Sequence, residues 1–392
     1  MRRFFLLKVL FSSLVLMLIG GCLSQAHLPP PRTGDFCGRV QDSLTGEVVP
    51  KTMVTIGETQ VSTDQEGRFL FPMLAPGEYQ VHLERSWYLS AKVNYKHVGK
   101  SEEQLIQLTP LPLHGKLLYT AAPDGKNWDI YQLDLATRIA TRLTNTSADE
   151  TEPVRLGQRL FYVLSDGVAK NKLVAHDLNN GQLQFLAESG KGEESPTVDQ
   201  TGEILVFKSY RTSPGEIFAN KLTTGESFKI TKGSSPALSP DGKQLAYING
   251  DQLYLYELSK VGQTGYQGRQ LTMATDNLKV DHPCWDATGK RFLVDAKNTL
   301  DNQRYIYLVE VGETNVNLQQ LTVTTTGRDE DHRHPCWSAD GQMIFFSASI
   351  LYKGRTDLYC FKLAEALADR ETTKWLMLTS GSGSKKEVTL DE

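Results

Sequence analysis

Two segments of this sequence combine histidine and aspartate at a spacing that could bind a metal ion. Each places these residues directly before a Pro-Cys-Trp tripeptide, within residues 281–285 and 331–337. Imidazole and carboxylate groups are suitable ligands for divalent metals. If the two segments are neighbours in the fold, the candidate metal ligands are His282, His332 and His334, with Asp281 and Asp331 beside them. The alternative is that histidine before proline is a structural feature of a repeated strand.

Three acidic runs provide a second candidate site. They lie within residues 149–152, 192–194 and 328–331, and each precedes an apolar strand. A cleft lined by charges of one sign concentrates the electrostatic field, so it would favour a cationic peptide or a metal ion. The candidate partner-binding residues are Glu150, Glu152, Glu193, Glu194, Asp329, Glu330 and Asp331. The alternative is that these charges belong to ordinary solvated loops.

Composition and motifs argue against several functions. The 392 residues carry a formal net charge of −4, which gives the protein no electrostatic reason to bind nucleic acid. The sequence contains no G-x-S-x-G nucleophile motif, no phosphate-binding loop and no dinucleotide-binding fingerprint. We therefore predict no catalytic residues and a non-enzymatic role.

The cysteines are few and widely spaced. None of the five forms a C-x-x-C pair, and their gaps suggest neither a disulfide framework nor a zinc site. Cys284 and Cys336 each follow a proline, in a position that holds Val154, Thr197 and Ala237 in similar segments. We therefore predict two buried thiols that behave as small apolar residues.

The N-terminus is built like a bacterial secretion signal. Two arginines give a positive start, residues 4–19 are almost wholly apolar, and two glycines precede Cys22. The apolar run is short for a membrane-spanning helix, which needs about 20 residues. The pattern resembles a bacterial lipoprotein signal, which implies cleavage of residues 1–21 and lipidation of Cys22. Residues 22–34 then form a proline-containing tether. Leucine rather than aspartate follows the cysteine, which favours an outer-membrane anchor facing the periplasm in a Gram-negative cell.

Residues 35–111 contain short strands separated by turn signals. The motifs V-x-D-x-x-T-G, T-D-x-x-G-x-F-x-F and L-x-P-G-x-Y-x-V begin at Val40, Thr63 and Leu74. Asp-x-x-Gly favours a tight turn because aspartate bonds nearby backbone amides and glycine accepts a positive φ. This series resembles the carboxypeptidase regulatory-like domain, which implies a small prealbumin-like or immunoglobulin-like sandwich that acts as a spacer or adhesion element.

The remaining sequence repeats with a period of roughly 40 to 50 residues, which is typical of propellers and other repeat folds. One landmark is Leu-Thr or an equivalent pair, beginning at residues 143, 186, 230, 271, 321 and 378. A second landmark is a proline at the start of a strand, at Pro153, Pro196, Pro236, Pro283 and Pro335. Each proline is followed by an apolar strand, and three of them also by an obvious hairpin turn.

The complete repeat reads P-x-W-S-x-D-G-K, then an apolar strand, then D-I-Y-x-x-D-L and finally L-T. This pattern predicts four antiparallel strands. It resembles the TolB-type β-propeller repeat, and the landmarks predict six blades over residues 112–392. Because the first unit begins at its second strand, closure of the ring needs a first strand from residues 385–391. We also expect Trp285 and Trp337, at equivalent positions on inner strands, to be buried between blades.

The predicted fold class is therefore all-β, a small β-sandwich followed by a six-bladed β-propeller. We expect a monomeric, membrane-anchored envelope lipoprotein without a cofactor, whose propeller binds a protein or peptide partner on its top face. The histidine segments also resemble the axial metal site of oligogalacturonate lyases, although that family has seven blades. The alternative function is a metal-dependent, carbohydrate-binding or polysaccharide-lyase-like propeller that uses His282, His332 and His334.

Substitution of Cys22 by alanine should leave an unprocessed precursor without lipid, because the thiol is both the lipidation site and part of the cleavage signal. Incorporation of radiolabelled palmitate and the size of the product measure this in a bacterial host. Normal processing of Cys22→Ala, or a wild-type protein without label, would show that the lipoprotein prediction is wrong.

Overall fold

The computed structural model describes residues 34–167, 170–186, 189–324, 330–350, 355–379 and 382–391. Within these ranges the chain is nearly all β, and it divides into two compact units between Leu111 and Pro112. In the described part of the chain, no helix is both long enough and apolar enough to cross a membrane. The predicted signal, with Cys22, and the candidate residue Asp329 lie outside the described residues.

The first unit is a sandwich of two sheets. Its strands are β1 (Phe36–Asp42), β2 (Met53–Ile56), β3 (Thr59–Ser62), β4 (Arg68–Phe71), β5 (Gly77–Glu84), β6 (Ala91–His97) and β7 (Glu103–Leu108). One sheet has the strand order β4-β1-β7 and the other β3-β2-β5-β6. Alternating residues of both sheets, among them Val40, Val54 and Leu83, form its buried core. The predicted sandwich is confirmed.

The Asp-x-x-Gly turn of this unit forms as the sequence predicts. The Oδ1 atom of Asp64 accepts hydrogen bonds from the backbone N–H groups of Glu66 and Arg68 at 3.0 and 2.8 Å. Gly67 has a φ of 73°, and a Cβ atom there would lie 2.7 Å from the carbonyl oxygen of Val40. Glycine is therefore required by both the turn and the close approach of the neighbouring backbone.

The second unit is a series of four-stranded antiparallel sheets, and the described residues form six of them. We call these sheets blades I to VI. Blade I contains β8 (Lys116–Ala122), β9 (Asp129–Asp134), β10 (Ala140–Arg142) and the C-terminal β31 (Ser384–Asp391). Blade II contains β11 (Asp149–Leu156), β12 (Arg159–Ser165), β13 (Lys172–Asp177) and β14 (Leu183–Leu186). Blade III contains β15 (Glu193–Val198), β16 (Ile204–Ser209), β17 (Glu216–Lys221) and β18 (Ser227–Lys232).

The other three blades follow in chain order. Blade IV contains β19 (Ser234–Leu238), β20 (Gln244–Asn249), β21 (Gln252–Glu257) and β22 (Arg269–Gln270). Blade V contains β23 (Leu278–Trp285), β24 (Arg291–Asn298), β25 (Arg304–Val311) and β26 (Val316–Gln320). Blade VI contains β27 (Arg333–Trp337), β28 (Met343–Ala348), β29 (Asp357–Lys362) and β30 (Leu376–Met377). Two 3-10 turns (Leu258–Lys260 and Ala274–Asp276) and the helix α1 (Leu363–Ala368) complete the elements.

The blades close into a ring through the C-terminal strand. β31 pairs antiparallel with β8, so that Leu390 lies opposite Leu117 and Thr389 opposite Leu118. The innermost strands then contact one another in the cyclic order β31, β11, β15, β19, β23, β27 and back to β31. Both the six-bladed propeller and its closure by residues 385–391 are confirmed.

The Leu-Thr landmark has a clear structural cause. In blade V, the backbone N–H of Leu321 donates to the carbonyl of Ile306 at 2.8 Å, and the Oγ1 atom of Thr322 accepts from the N–H of Ile306 at 2.9 Å. Blades I, IV and VI repeat this arrangement with Thr144, Thr272 and Thr379. The threonine hydroxyl therefore satisfies a buried amide at the start of the third strand.

The repeated tryptophans link consecutive blades. The Nε1–H of Trp285 donates to the carbonyl of Ala237 at 2.9 Å, and that of Trp337 donates to the carbonyl of Cys284 at 3.2 Å. Trp337 is buried as predicted, whereas Trp285 is only partly buried and packs on Phe292. Cys284 and Cys336 are free thiols; Cys336 is buried as predicted, whereas Cys284 is only partly buried.

Candidate functional site

The inner strands surround an axial cavity of about 370 Å³. Each of the six inner strands contributes one polar residue to the wall of this cavity. We call these six residues the axial ring. Its members, in order from blade I to blade VI, are Glu387, Glu152, Ser195, Ser235, His282 and His334. The five repeat prolines each follow a ring member and also line the cavity, and Val388 takes the corresponding place after Glu387.

Every residue of the axial ring has a left-handed backbone. Their φ values lie between 44° and 55°, and each inner strand shows a shift of register with its neighbour around the ring residue. A positive φ is uncommon for residues other than glycine, and such bulges redirect side chains and are frequent beside functional sites. Six repetitions of the same unusual conformation around one axis make the cavity the candidate functional site.

The carboxylates of blades I and II link the ring together. The Oε2 atom of Glu387 accepts hydrogen bonds from the backbone N–H of Glu152 at 2.7 Å and from the Oγ1–H of Thr120 at 3.0 Å. The Oε2 atom of Glu152 in turn accepts from the backbone N–H of Ser195 in blade III. Burial and then the charge of Glu387 raise the pKa of Glu152 to about 7. These two carboxylates therefore have a structural role between blades and also give the ring an acidic side.

The imidazoles of blades V and VI are organised by a buried aspartate. Asp295 lies opposite Asp281 in the register of β23 and β24 and is fully buried. Its Oδ2 atom lies 2.6 Å from the Nδ1 atom of His282 and accepts a 3.0 Å hydrogen bond from the backbone N–H of His334. Its Oδ1 atom accepts from the guanidinium of Arg304. One carboxylate thus positions both ring histidines.

The two histidines of the axial ring differ in protonation, although the centroids of their imidazoles are only 4.1 Å apart. Burial alone would lower the pKa of His282, but the charge of Asp295 and the hydrogen bond to it raise that pKa to about 9. Burial and then the charge on His282 hold the pKa of His334 well below its usual range. At neutral pH the pair therefore consists of one imidazolium, His282, and one neutral imidazole, His334.

The structure separates His332 from the other two histidines, so the predicted three-histidine site is wrong. Residues two apart on a regular strand share a face, but the left-handed backbone of His334 breaks that regularity. His332 is fully buried away from the cavity, where its Nδ1 atom bonds the Oγ1 atom of Thr322 at 2.9 Å. Its Nε2 atom lies 3.3 Å from a carboxylate oxygen of Glu330.

His332 occupies a repeated buried position, two residues before a ring residue. The backbone N–H groups at this position donate to the start of the third strand in the preceding blade, for Glu150, Glu193, Val280, His332 and Lys385. In blade IV the position is Gly233, where a Cβ atom would lie 2.6 Å from the ring of Tyr247. This repeated position therefore joins consecutive blades through a backbone hydrogen bond.

The predicted acidic surface is smaller than the sequence suggested. Glu150, Glu193 and Glu330 are buried, because they lie in or beside the inter-blade position, and the expectation that they are exposed was wrong. Glu152 lies in the wall of the cavity and not in a surface loop. Two of the other candidates, Glu194 and Asp331, are partly exposed. Each lies one to three residues before the ring residue of its blade in the sequence.

The two partly exposed acidic residues are paired with cations. A carboxylate oxygen of Glu194 lies 3.6 Å from Nζ of Lys208, and one of Asp331 lies 2.8 Å from Nε of Arg333. Asp281, beside them, accepts a 2.6 Å hydrogen bond from the hydroxyl of Ser235. This end of the propeller therefore has mixed charge.

The residues of the site do not fit a divalent metal. Among the described residues there is no cluster of three or more histidine, cysteine, aspartate or glutamate side chains able to hold one. The Nδ1 atom of His282 lies 2.6 Å from Asp295, so one of its two ring nitrogens is already engaged.

Several residues of this site were missed in the sequence. Asp295 and Arg304 lie on the second and third strands of blade V, and no motif marks them. Ser195 and Ser235 could have been found, because each stands directly before a repeat proline in the same position as Glu152 and His282. Glu387 lacks that signal because valine follows it.

Comparison with known proteins identifies both parts of the chain by fold. Residues 36–109 match the carboxypeptidase regulatory-like domain family. The crystal structure of TolB from Acinetobacter baumannii aligns with 86% of this chain and 82% of its own, at 16% identity and a TM-score of 0.58. A TolB-type structure from Agrobacterium tumefaciens aligns with 69% of this chain and 91% of its own, at 14% identity and a TM-score of 0.51. Residues 36–109 are therefore similar to the carboxypeptidase regulatory-like domain, and the propeller shares its fold with TolB structures.

Other similarities are weaker. An oligogalacturonate lyase in complex with manganese aligns with 64% of this chain and 72% of its own, at 19% identity. Its TM-score of 0.45 is too low to support an argument about function. No curated protein matches the sequence.

The unequal charge of the two ring histidines can be measured by NMR titration. The imidazole of His282 should titrate near pH 9, and Asp295→Asn should lower its midpoint because burial then acts without the main opposing carboxylate. The raised pKa of His282 contributes stability that is fully present below the pKa of the unfolded state and is lost as the pH rises through about 9. The destabilisation caused by Asp295→Asn should therefore shrink at high pH.

Asp281→Asn is the control for this titration, because its carboxylate lies 3.9 Å from the Nε2 atom of His282 and contributes less than Asp295 does. That variant should lower the midpoint less than Asp295→Asn does. The assignment of the signal comes from its loss in His282→Gln. A wild-type midpoint near 6.5 would contradict the described network.

Proposed function

We propose that this protein is a non-enzymatic lipoprotein of the bacterial cell envelope whose propeller binds a protein or peptide partner. The partner segment docks at the end of the axial cavity that the ring residues border. The observation that carries this proposal is the axial ring itself, in which six inner strands present six left-handed residues to one cavity. A rigid ring that presents many short loops around one funnel is suited to binding a partner.

The surface around that end supports a polar partner segment. Partly exposed charges of both signs precede the ring residues, with Glu194 and Asp331 beside Lys208 and Arg333. Because these charges already form pairs at a partly exposed surface, they add orientation and specificity more than affinity. A segment that carries both charges matches this surface better than a purely cationic peptide.

The anchoring part of the proposal is carried by the N-terminal sequence. The positive start, the short apolar run and the two glycines before Cys22 support lipidation of that cysteine. The resemblance in fold to TolB structures supports a place in the envelope, and Leu23 after the cysteine favours the outer membrane with the protein facing the periplasm. The carboxypeptidase regulatory-like domain would act as a spacer between the membrane and the propeller.

The metal-dependent alternative loses its support from the structure. Two of its three histidines line the cavity, but His332 is buried against Thr322 and Glu330. We therefore do not propose lyase chemistry for this chain.

Site-specific photo-crosslinking in living cells tests where the partner binds. A photoreactive amino acid at Glu194 or Asp331 should form crosslinks to a partner, because both residues border the ring end of the cavity. The matched controls are Asp241 and Lys290, exposed residues in the hairpins at the other end of inner strands. Mass spectrometry identifies the crosslinked product.

The two pairs of positions distinguish the outcomes. Crosslinks from Glu194 and Asp331, with none from Asp241 and Lys290, are the expected result. A footprint confined to Asp241 and Lys290 would contradict the proposed binding face.

A further inference from the structure

The axial ring is divided into three chemically different sectors of two blades each. Blades I and II supply Glu387 and Glu152, blades III and IV supply two serines, and blades V and VI supply His282 and His334. In a closed ring of six blades, Glu152 of blade II lies opposite His282 of blade V, because they are three blades apart in either direction. Burial and the charge of Glu387 raise the pKa of Glu152 to about 7, and the charge of His282 on the other side of the cavity opposes this rise.

Each opposing group keeps one polar atom that no described residue binds. Glu152 uses Oε2 for the amide of Ser195, and its Oε1 atom accepts no hydrogen bond within the described part of the chain. His282 uses Nδ1 for Asp295, whereas its Nε2 atom lies 3.9 Å from the nearest carboxylate oxygen of Asp281, which is beyond hydrogen-bond reach. A carboxyl oxygen able to accept thus faces an imidazole N–H able to donate across one cavity.

The rest of the cavity suits a small organic ligand. Its wall below the ring is formed by the repeat prolines and by small residues that follow them, including Val154, Ala237 and Cys284. Ser195 and Ser235 line the wall between the charged sectors, and the hydroxyl of Ser235 donates to Asp281 and can still accept from a ligand. The volume of about 370 Å³ falls within the range of roughly 300–1,000 Å³ that small-molecule sites occupy.

We propose that the axial cavity binds a small dipolar ligand with an ammonium group at one end and a carboxylate at the other, such as a short peptide with free ends. Its ammonium group binds Glu152, and its carboxylate binds His282. The serines of blades III and IV contact the polar groups between the two ends. This site and the proposed partner share the axial ring, but the small ligand uses atoms inside the cavity, whereas the partner uses the surrounding surface.

The positioning of His282 explains how the site holds its charges. The buried carboxylate of Asp295 fixes the imidazole through Nδ1 and leaves Nε2–H as the donor toward the cavity. Arg304 and Asp331 lie behind Asp295, with the Nε atom of Arg304 3.5 Å from the carboxylate of Asp331. The ligand carboxylate therefore meets a donor whose direction is set by packing, which lowers the cost of binding.

Isothermal titration calorimetry of the full-length protein with alanylalanine tests this proposal. The dipeptide with both ends free should bind, and either N-acetylation or C-terminal amidation should weaken binding by at least about tenfold, since each cap removes one charged end. Glu152→Gln and His282→Gln should each weaken binding of the free dipeptide to a similar extent. The matched controls are Glu226→Gln and His114→Gln, which change exposed residues outside the cavity and should bind as the wild type does.

Three results would overturn the proposal. These are no binding of alanylalanine at millimolar concentration, equal binding of the free and capped dipeptides, or an effect of only one of the two caps. Because Glu152→Gln keeps an acceptor for the amide of Ser195, circular dichroism should show that this variant folds. If it does not fold, the capped dipeptides on the wild-type protein decide the question without it. Failure of the crosslinking experiment would leave this result unaffected, so the two proposals fail separately.

Discussion

Pairing between the C-terminal strand and the first blade is the interaction on which the rest of the propeller depends. β31 supplies the innermost strand that blade I lacks, and it thereby places Glu387 beside Glu152. Without it, blade I would have an open inner edge, and the ring of inner strands would be interrupted between β27 and β11. Closure removes unpaired edges and fixes the distance between blades at the axis.

Closure also explains why so many charged residues of this propeller are buried. Successive blades meet at two repeated positions, the ring residue and the residue two before it. Each position leaves backbone amides that need an acceptor on a neighbouring blade, and buried amides without one are costly. Glu387, Glu152 and Asp295 each accept from a backbone amide of the next blade around the ring. The same residues that join the blades therefore also set the charge pattern of the cavity.

The sequence predicted the architecture because its landmarks are local. Asp-x-x-Gly turns act within a few residues, as the hydrogen bonds from the amides of Glu66 and Arg68 to Asp64 illustrate. The site was harder to predict. His332 and His334 are only two residues apart, but the left-handed backbone of His334 places their side chains in different surroundings. The residue types in this segment do not predict a positive φ at a histidine. Asp295 determines the charge of His282 from a neighbouring strand, across a bulge whose register the sequence alone does not reveal.

The melting temperature of a chain that ends at Gly383 tests the central role of ring closure most directly. We predict that loss of residues 384–392 lowers the calorimetric melting temperature of the propeller by more than about 10 °C, because blade I loses its innermost strand. A synthetic peptide of residues 384–392 should restore much of that loss by pairing with β8. An unchanged melting temperature in the shortened chain would contradict closure by the C-terminal strand.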